Sequence, residues 1–188
     1  MADSEARSRE DEYFWRRDQE LIEKMRRGTV AEQANREMGT RVGLNDPDTI
    51  QELAALGFTI DTVDLLPLMP LIQMAWAEAG VSDAERQLIV TLARSRGIAE
   101  ASAADRQLST WLTTSPVAQV FTRSTRLIRA MLTSGAPAQA GLTPDELVNY
   151  CEAIAAASGG ILGMRKISAE ERVLLSQIAA ELKSRNAK

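Results

Sequence analysis

Two stretches of this chain place a serine three residues ahead of a glutamate at the head of an apolar run: Ser82 with Glu85, and Ser168 with Glu171. Glu78 and Asp83 lie close by in the first stretch. Two chemistries suit that spacing. A carboxylate at the third helical position reaches back to the backbone N–H of the capping serine and sits at the positive end of the helix. Alternatively, Glu78, Asp83, Glu85 and Glu171 together form an oxygen-only set, which suits a hard divalent cation such as Ca²⁺ rather than zinc.

Other chemistries are scarce. The chain has no histidine, which removes the commonest general base, the Ser-His and Cys-His nucleophile pairs and mixed Cys/His zinc sites. Cys151 is the single cysteine, so no intramolecular disulfide is available, and its place on an apolar helix face reads as an inert core thiol. Carboxylate pairs exist at Asp61 with Asp64 and at Asp145 with Glu146, without a nucleophile or cofactor motif beside them. The glycine-rich GGILG at 159–163 lacks the Gly-Lys-Ser/Thr of a phosphate loop and reads as a connector. The chain is therefore read as non-enzymatic.

The elements that position these residues are helices. Capping signals recur at Asp46-Pro47, Ser82, Ser102, Ser115-Pro116, Thr143 and Ser168, each ahead of apolar residues at three-four spacing. No alternating β-branched run or hairpin dipeptide interrupts them, so the fold class is all-α. A charged helix is predicted over 8–27, with Phe14, Leu21, Ile22 and Met25 on one side and Tyr13 and Trp15 beside it, and a second, started by Thr29 with Glu32, up to Gly39. The most apolar run, VDLLPLMPLIQMAWAEAG at 63–80, is bent or delayed by Pro67 and Pro70 and is too interrupted to span a membrane. Residues 115–131 form the clearest amphipathic helix, with Val117, Val120, Phe121, Ser124, Leu127, Ile128 and Met131 in one stripe and Arg123, Arg126 and Arg129 on another face. Stretches 134–143 and 157–166 are read as loops.

With 188 residues, 45% hydrophobic and 26% charged, the composition is that of one globular domain with an appendage. A net charge of -4 and the lack of a basic cluster argue against nucleic acid. The opening MADSEARSREDEYF has no apolar core of a secretory signal, and a reducing cytoplasm is the expected location. The predicted division is a charged helical arm over 1–38, a short connecting helix and linker over 39–57, and a helical domain over 58–188. In the arm, Tyr13, Phe14 and Trp15 either pack back on the domain or anchor a protein partner or a second copy of the chain, aromatics being frequent interface anchors.

The second stretch repeats the first with an offset of 86 positions, from Ser82 to Ser168, which also aligns Val81 with Ile167, Arg86 with Arg172, Ile89 with Leu175 and Ala93 with Ala179. Each copy follows an apolar helix, so the repeated unit is a helix-loop-helix.

LPLMPLIQMAWAEAGVSDAERQLIVTLARSRGI and ASGGILGMRKISAEERVLLSQIA resemble the tellurite-resistance TerB family of helical domains, over roughly residues 58–185. The resemblance implies a helical bundle of two pseudo-repeated units and a non-enzymatic, cytoplasmic stress-response protein working with protein partners, among them a membrane-associated complex. It also implies an acidic turn, in which Glu78 stands where the family commonly has Asp and the second copy has no acid.

Overall fold

The computed structural model describes the backbone of residues 2–78, 80–134, 142–157 and 167–184, and side chains from Tyr13 onward. Among these residues there are eight α-helices and no strand: α1 (Ala2–Val42), α2 (Pro47–Ala55), α3 (Met69–Ala75), α4 (Asp83–Ser95), α5 (Ala103–Thr113), α6 (Ala118–Ser134), α7 (Pro144–Ala157) and α8 (Ala169–Lys183). A 3₁₀ segment, Val63–Leu68, leads into α3. No described helix is long and apolar enough to cross a membrane. The expected loops at 134–143 and 157–166 fall almost wholly outside the described residues.

The core is built on the 3₁₀ segment and α3. Leu65, Leu66, Met69, Leu71, Ile72 and Met74 are all fully buried there. Pro67 sits inside the 3₁₀ segment and Pro70 in the first turn of α3. The two prolines thus hold α-helical geometry back until residue 69, the delayed start that their positions predict. Each lacks a donor N–H, and a 3₁₀ turn followed by a helix start is where that costs least.

Around this strut, α3 packs against α4, α6, α7 and α8, while α7 also packs against α4 and α8. The amphipathic stripe of α6 is buried as its spacing predicts, at Phe121, Ser124, Leu127, Ile128 and Met131. Val117 lies before the helix and is exposed. Ser124 Oγ is buried in that stripe with no hydrogen-bond partner. Cys151 is a free thiol fully enclosed in α7, and burial pushes its pKa up to about 12.

The N-terminal region departs from the sequence reading. The two predicted helices are one, and α1 runs unbroken through Gly28 and Thr29. Thr29 does not cap a new helix; its hydroxyl donates back to the Met25 carbonyl at 3.0 Å. An exposed interior glycine costs a helix about 1 kcal/mol, too little to divide it when the residues on both sides favour helix. Gly39 likewise ends nothing. A Cβ on it would come within 2.5 Å of both Ile50 Cδ1 and the Leu44 carbonyl oxygen, so it permits the close approach of α1 and α2.

The helix stops at Gly43, whose φ of 72° lets its N–H reach the Thr40 carbonyl at 3.2 Å while the Leu44 N–H reaches Gly39 at 2.8 Å. Met38, Val42, Leu44, Ile50 and Leu53 belong to the same buried cluster as α3, so the end of α1 and all of α2 are joined to the core. Arg41, in the last turn, clasps Asp64 of the 3₁₀ segment with Nε and Nη2.

Candidate functional site

Both repeated serines cap their helices. The Ser82 N–H donates to Glu85 Oε2 at 2.8 Å while the Glu85 N–H donates to Ser82 Oγ at 3.3 Å. In the second copy the corresponding distances are 2.7 Å to Glu171 Oε2 and 3.1 Å to Ser168 Oγ. The capping reading of these glutamates is therefore realised twice, as complete capping boxes.

The caps are not on the surface. Glu85 is 3% exposed and Glu171 1%. Removal from water raises the pKa of Glu85 above the ordinary glutamate value, its cap bonds oppose that rise, and the fields of Glu171 and Glu78 add to it. The fold therefore brings Glu85 within electrostatic reach of Glu171 and Glu78. Glu78 and Asp83 are themselves exposed. No group of three or more carboxylates close enough to hold a metal ion occurs among the described residues. Of the four acids in the predicted cation set, the structure draws together the buried pair and leaves the other two at the surface.

Asp64, Asp145, Glu146 and the arginines of α6 all have partners within the fold. Asp64 pairs with Arg41, Asp145 Oδ1 meets Lys183 Nζ at 2.6 Å, and Glu146 accepts from the Thr143 N–H at 2.7 Å as an α7 cap. Arg126 and Arg123 both turn to Glu52 of α2, and Arg129 donates to Ser184 Oγ at 2.5 Å. Arg86 donates to the Leu112 carbonyl at 2.6 Å and Trp76 Nε1 to the Trp111 carbonyl at 2.9 Å, which ties the end of α5 to the repeated unit.

The arm is different. From Tyr13 to Gln33 every side chain of α1 is exposed, and the aromatics do not pack back on the core: Tyr13 is 57% exposed, Phe14 60% and Trp15 65%. Tyr13 and Phe14 meet edge to face at 5.8 Å, and Arg17 donates to the Tyr13 hydroxyl at 3.1 Å. Leu21, Ile22 and Met25 are exposed as well. With successive residues turned by about 100°, Phe14, Trp15, Leu21, Ile22 and Met25 share one face about 120° wide. Sequence reasoning singled out the aromatic triplet alone as the contact surface, although the three-four spacing of the aliphatic residues behind it was visible. The other faces carry i,i+4 pairs such as Arg27 with Glu23 at 2.9 Å and Gln33 with Glu37 at 3.1 Å.

No protein-family model, curated protein or solved structure matches this chain.

Proposed function

We propose that this chain is a non-enzymatic, TerB-like interaction module of the cytoplasm, of the tellurite-resistance stress-response type, and that α1 is its docking element. The observation that carries the docking role is the apolar face of α1 from Phe14 to Met25, exposed beside a core that is already closed by its own helices. Large aromatic and aliphatic side chains gathered in water on one helix face are a common mark of a protein contact. The pairings of α3 with α4 and of α7 with α8, with α4 on α7 and α8 on α3, support two pseudo-repeated hairpins arranged about a common axis. In this reading the helical domain is a rigid base, and the partner is a protein, either a soluble one or part of a membrane-associated complex. The alternative is a structural subunit or cargo of a larger assembly, docked through this N-terminal helix.

A photoreactive benzophenone side chain in place of Phe14, in the full chain, tests this reading. Discrete protein adducts are expected, and they should vanish when Leu21→Glu and Ile22→Glu are added. Absence of any protein adduct sinks the docking role.

A second reading is a divalent cation such as Ca²⁺ drawn to the buried pair Glu85 and Glu171, favoured by the field that Glu171 exerts on Glu85. A native-state ligand at 100 times its Kd adds about 2.7 kcal/mol of stability. A thermal melt unchanged by millimolar Ca²⁺, Mg²⁺ and Mn²⁺ would overturn it.

A further inference from the structure

The charge pattern of α1 says what its apolar face fits. Resting on the docking role proposed above, we infer that the partner of α1 is α1 of a second copy of this chain, paired antiparallel and crossing at Asp18.

Helices draw most of their stability from packing of an apolar face, and the exposed length of α1 has no such packing within its own chain. Asp18 lies at the centre of the apolar face, midway between Phe14 and Ile22 and between Trp15 and Leu21. An antiparallel pair that crosses there sets Phe14 level with Ile22 of the other copy and Trp15 level with Leu21, so the apolar residues of each copy meet those of the other. The same register sets Glu10, Asp11 and Glu12 of one copy level with Arg26, Met25 and Lys24 of the other, with Arg27 adjoining, and Arg16 level with Glu20. A parallel pair would instead align the acidic triplet with its own copy and Lys24, Arg26 and Arg27 with theirs. Like charges side by side disfavour that arrangement, whereas antiparallel helices also oppose their dipoles favourably. Two like-charged matches remain in the antiparallel register: Arg9 level with Arg27 at each end of the overlap, and Asp18 against Asp18, which identifies the crossing point.

The experiment is sedimentation equilibrium on the full chain, joined to cysteine crosslinking. The expected result is a concentration-dependent species of twice the chain mass that is lost with Phe14→Ala and Trp15→Ala. Both residues are exposed, so the helical core should melt at its wild-type temperature in that variant. Asp18→Asn should lower the dimer dissociation constant by roughly fivefold, the scale of two unit charges facing each other in a wet setting. Asp18→Cys should crosslink under mild oxidation, whereas Glu32→Cys should not, its two copies lying about 40 Å apart along the pair. Cys151, being buried, stays out of the reaction.

A single-chain mass at all concentrations overturns the inference, and crosslinking at both positions overturns the antiparallel register. A monomer that still forms adducts with another protein through position 14 removes the self-pairing and leaves the docking role standing. A monomer with no adducts removes both.

Discussion

Glu85 and Glu171 close equivalent capping boxes at the heads of α4 and α8, and the negative field of one acts on the other inside the fold. Each is held locally by its serine. For Glu85 the loss of water is the larger effect, followed by its cap bonds and then by repulsion.

Stability should therefore respond to pH in a definite sense at Glu85. Its folded pKa is raised, so between the ordinary glutamate value and the raised one the native state binds more protons than the unfolded chain, and stability falls as pH rises through that window. Glu85→Gln keeps an acceptor for the Ser82 N–H and removes the charge. The variant should lack this part of the pH dependence and gain on the wild type as pH rises. Urea unfolding from pH 4.5 upward would check this, and parallel curves for the two proteins would contradict it.

Asp105 should act in the opposite sense. Arg94 donates to its Oδ1 at 2.5 Å and the Ala101 N–H to its Oδ2 at 2.8 Å, and these bonds hold its pKa below the ordinary aspartate value, the Arg94 bond most. Its contribution is present above the unfolded pKa and is lost as pH falls through the folded one. Asp105→Asn should remove that acid-side loss, read as a shallower fall of the thermal midpoint below pH 4.

Gly39→Ala should destabilise the fold by about 1–3 kcal/mol, the usual cost of overpacking a close contact. One of the two atoms in its way is the backbone oxygen of Leu44, which cannot rotate aside. Gly28, with nothing within 4 Å of a new Cβ, is the control. Gly28→Ala should leave the core untouched and raise the helicity of α1, read by circular dichroism.

Ser124→Ala should stabilise by about 1 kcal/mol, since the hydroxyl it removes is buried without a partner. Chemical denaturation would show a higher midpoint with unchanged slope. A lower midpoint would mean that the serine oxygen has a bonding role.

Helix starts were the most legible part of this chain. Asp46-Pro47, Ser82, Ser102 and Ser168 all cap where their spacing predicts, because a cap is a contact between residues three apart. The same local signal misled at Thr29 with Glu32, where the surrounding helix was already formed and the threonine hydroxyl turned back to Met25. Gly39 looked like a stop because a sequence does not show which helix lies opposite. The burial of Glu85 and its exposure to the field of Glu171 were illegible for a related reason, since they arise where the two units meet in space. Periodicity gave the apolar face of α1, and only the structure separates a face packed on the core from one left in water.

The uninterrupted length of α1 has a mechanical consequence. From Trp15 to Met38, where burial begins, the continuous helix rises through 23 residue steps, or about 35 Å. Salt at cellular strength screens charges beyond about 8 Å, so a molecule held at the aromatic end does not feel the charges of the bundle. The helix is a stand-off strut: it fixes a distance between what it grips and the body it carries, and shortening or lengthening it by whole turns would alter reach while leaving both ends chemically unchanged.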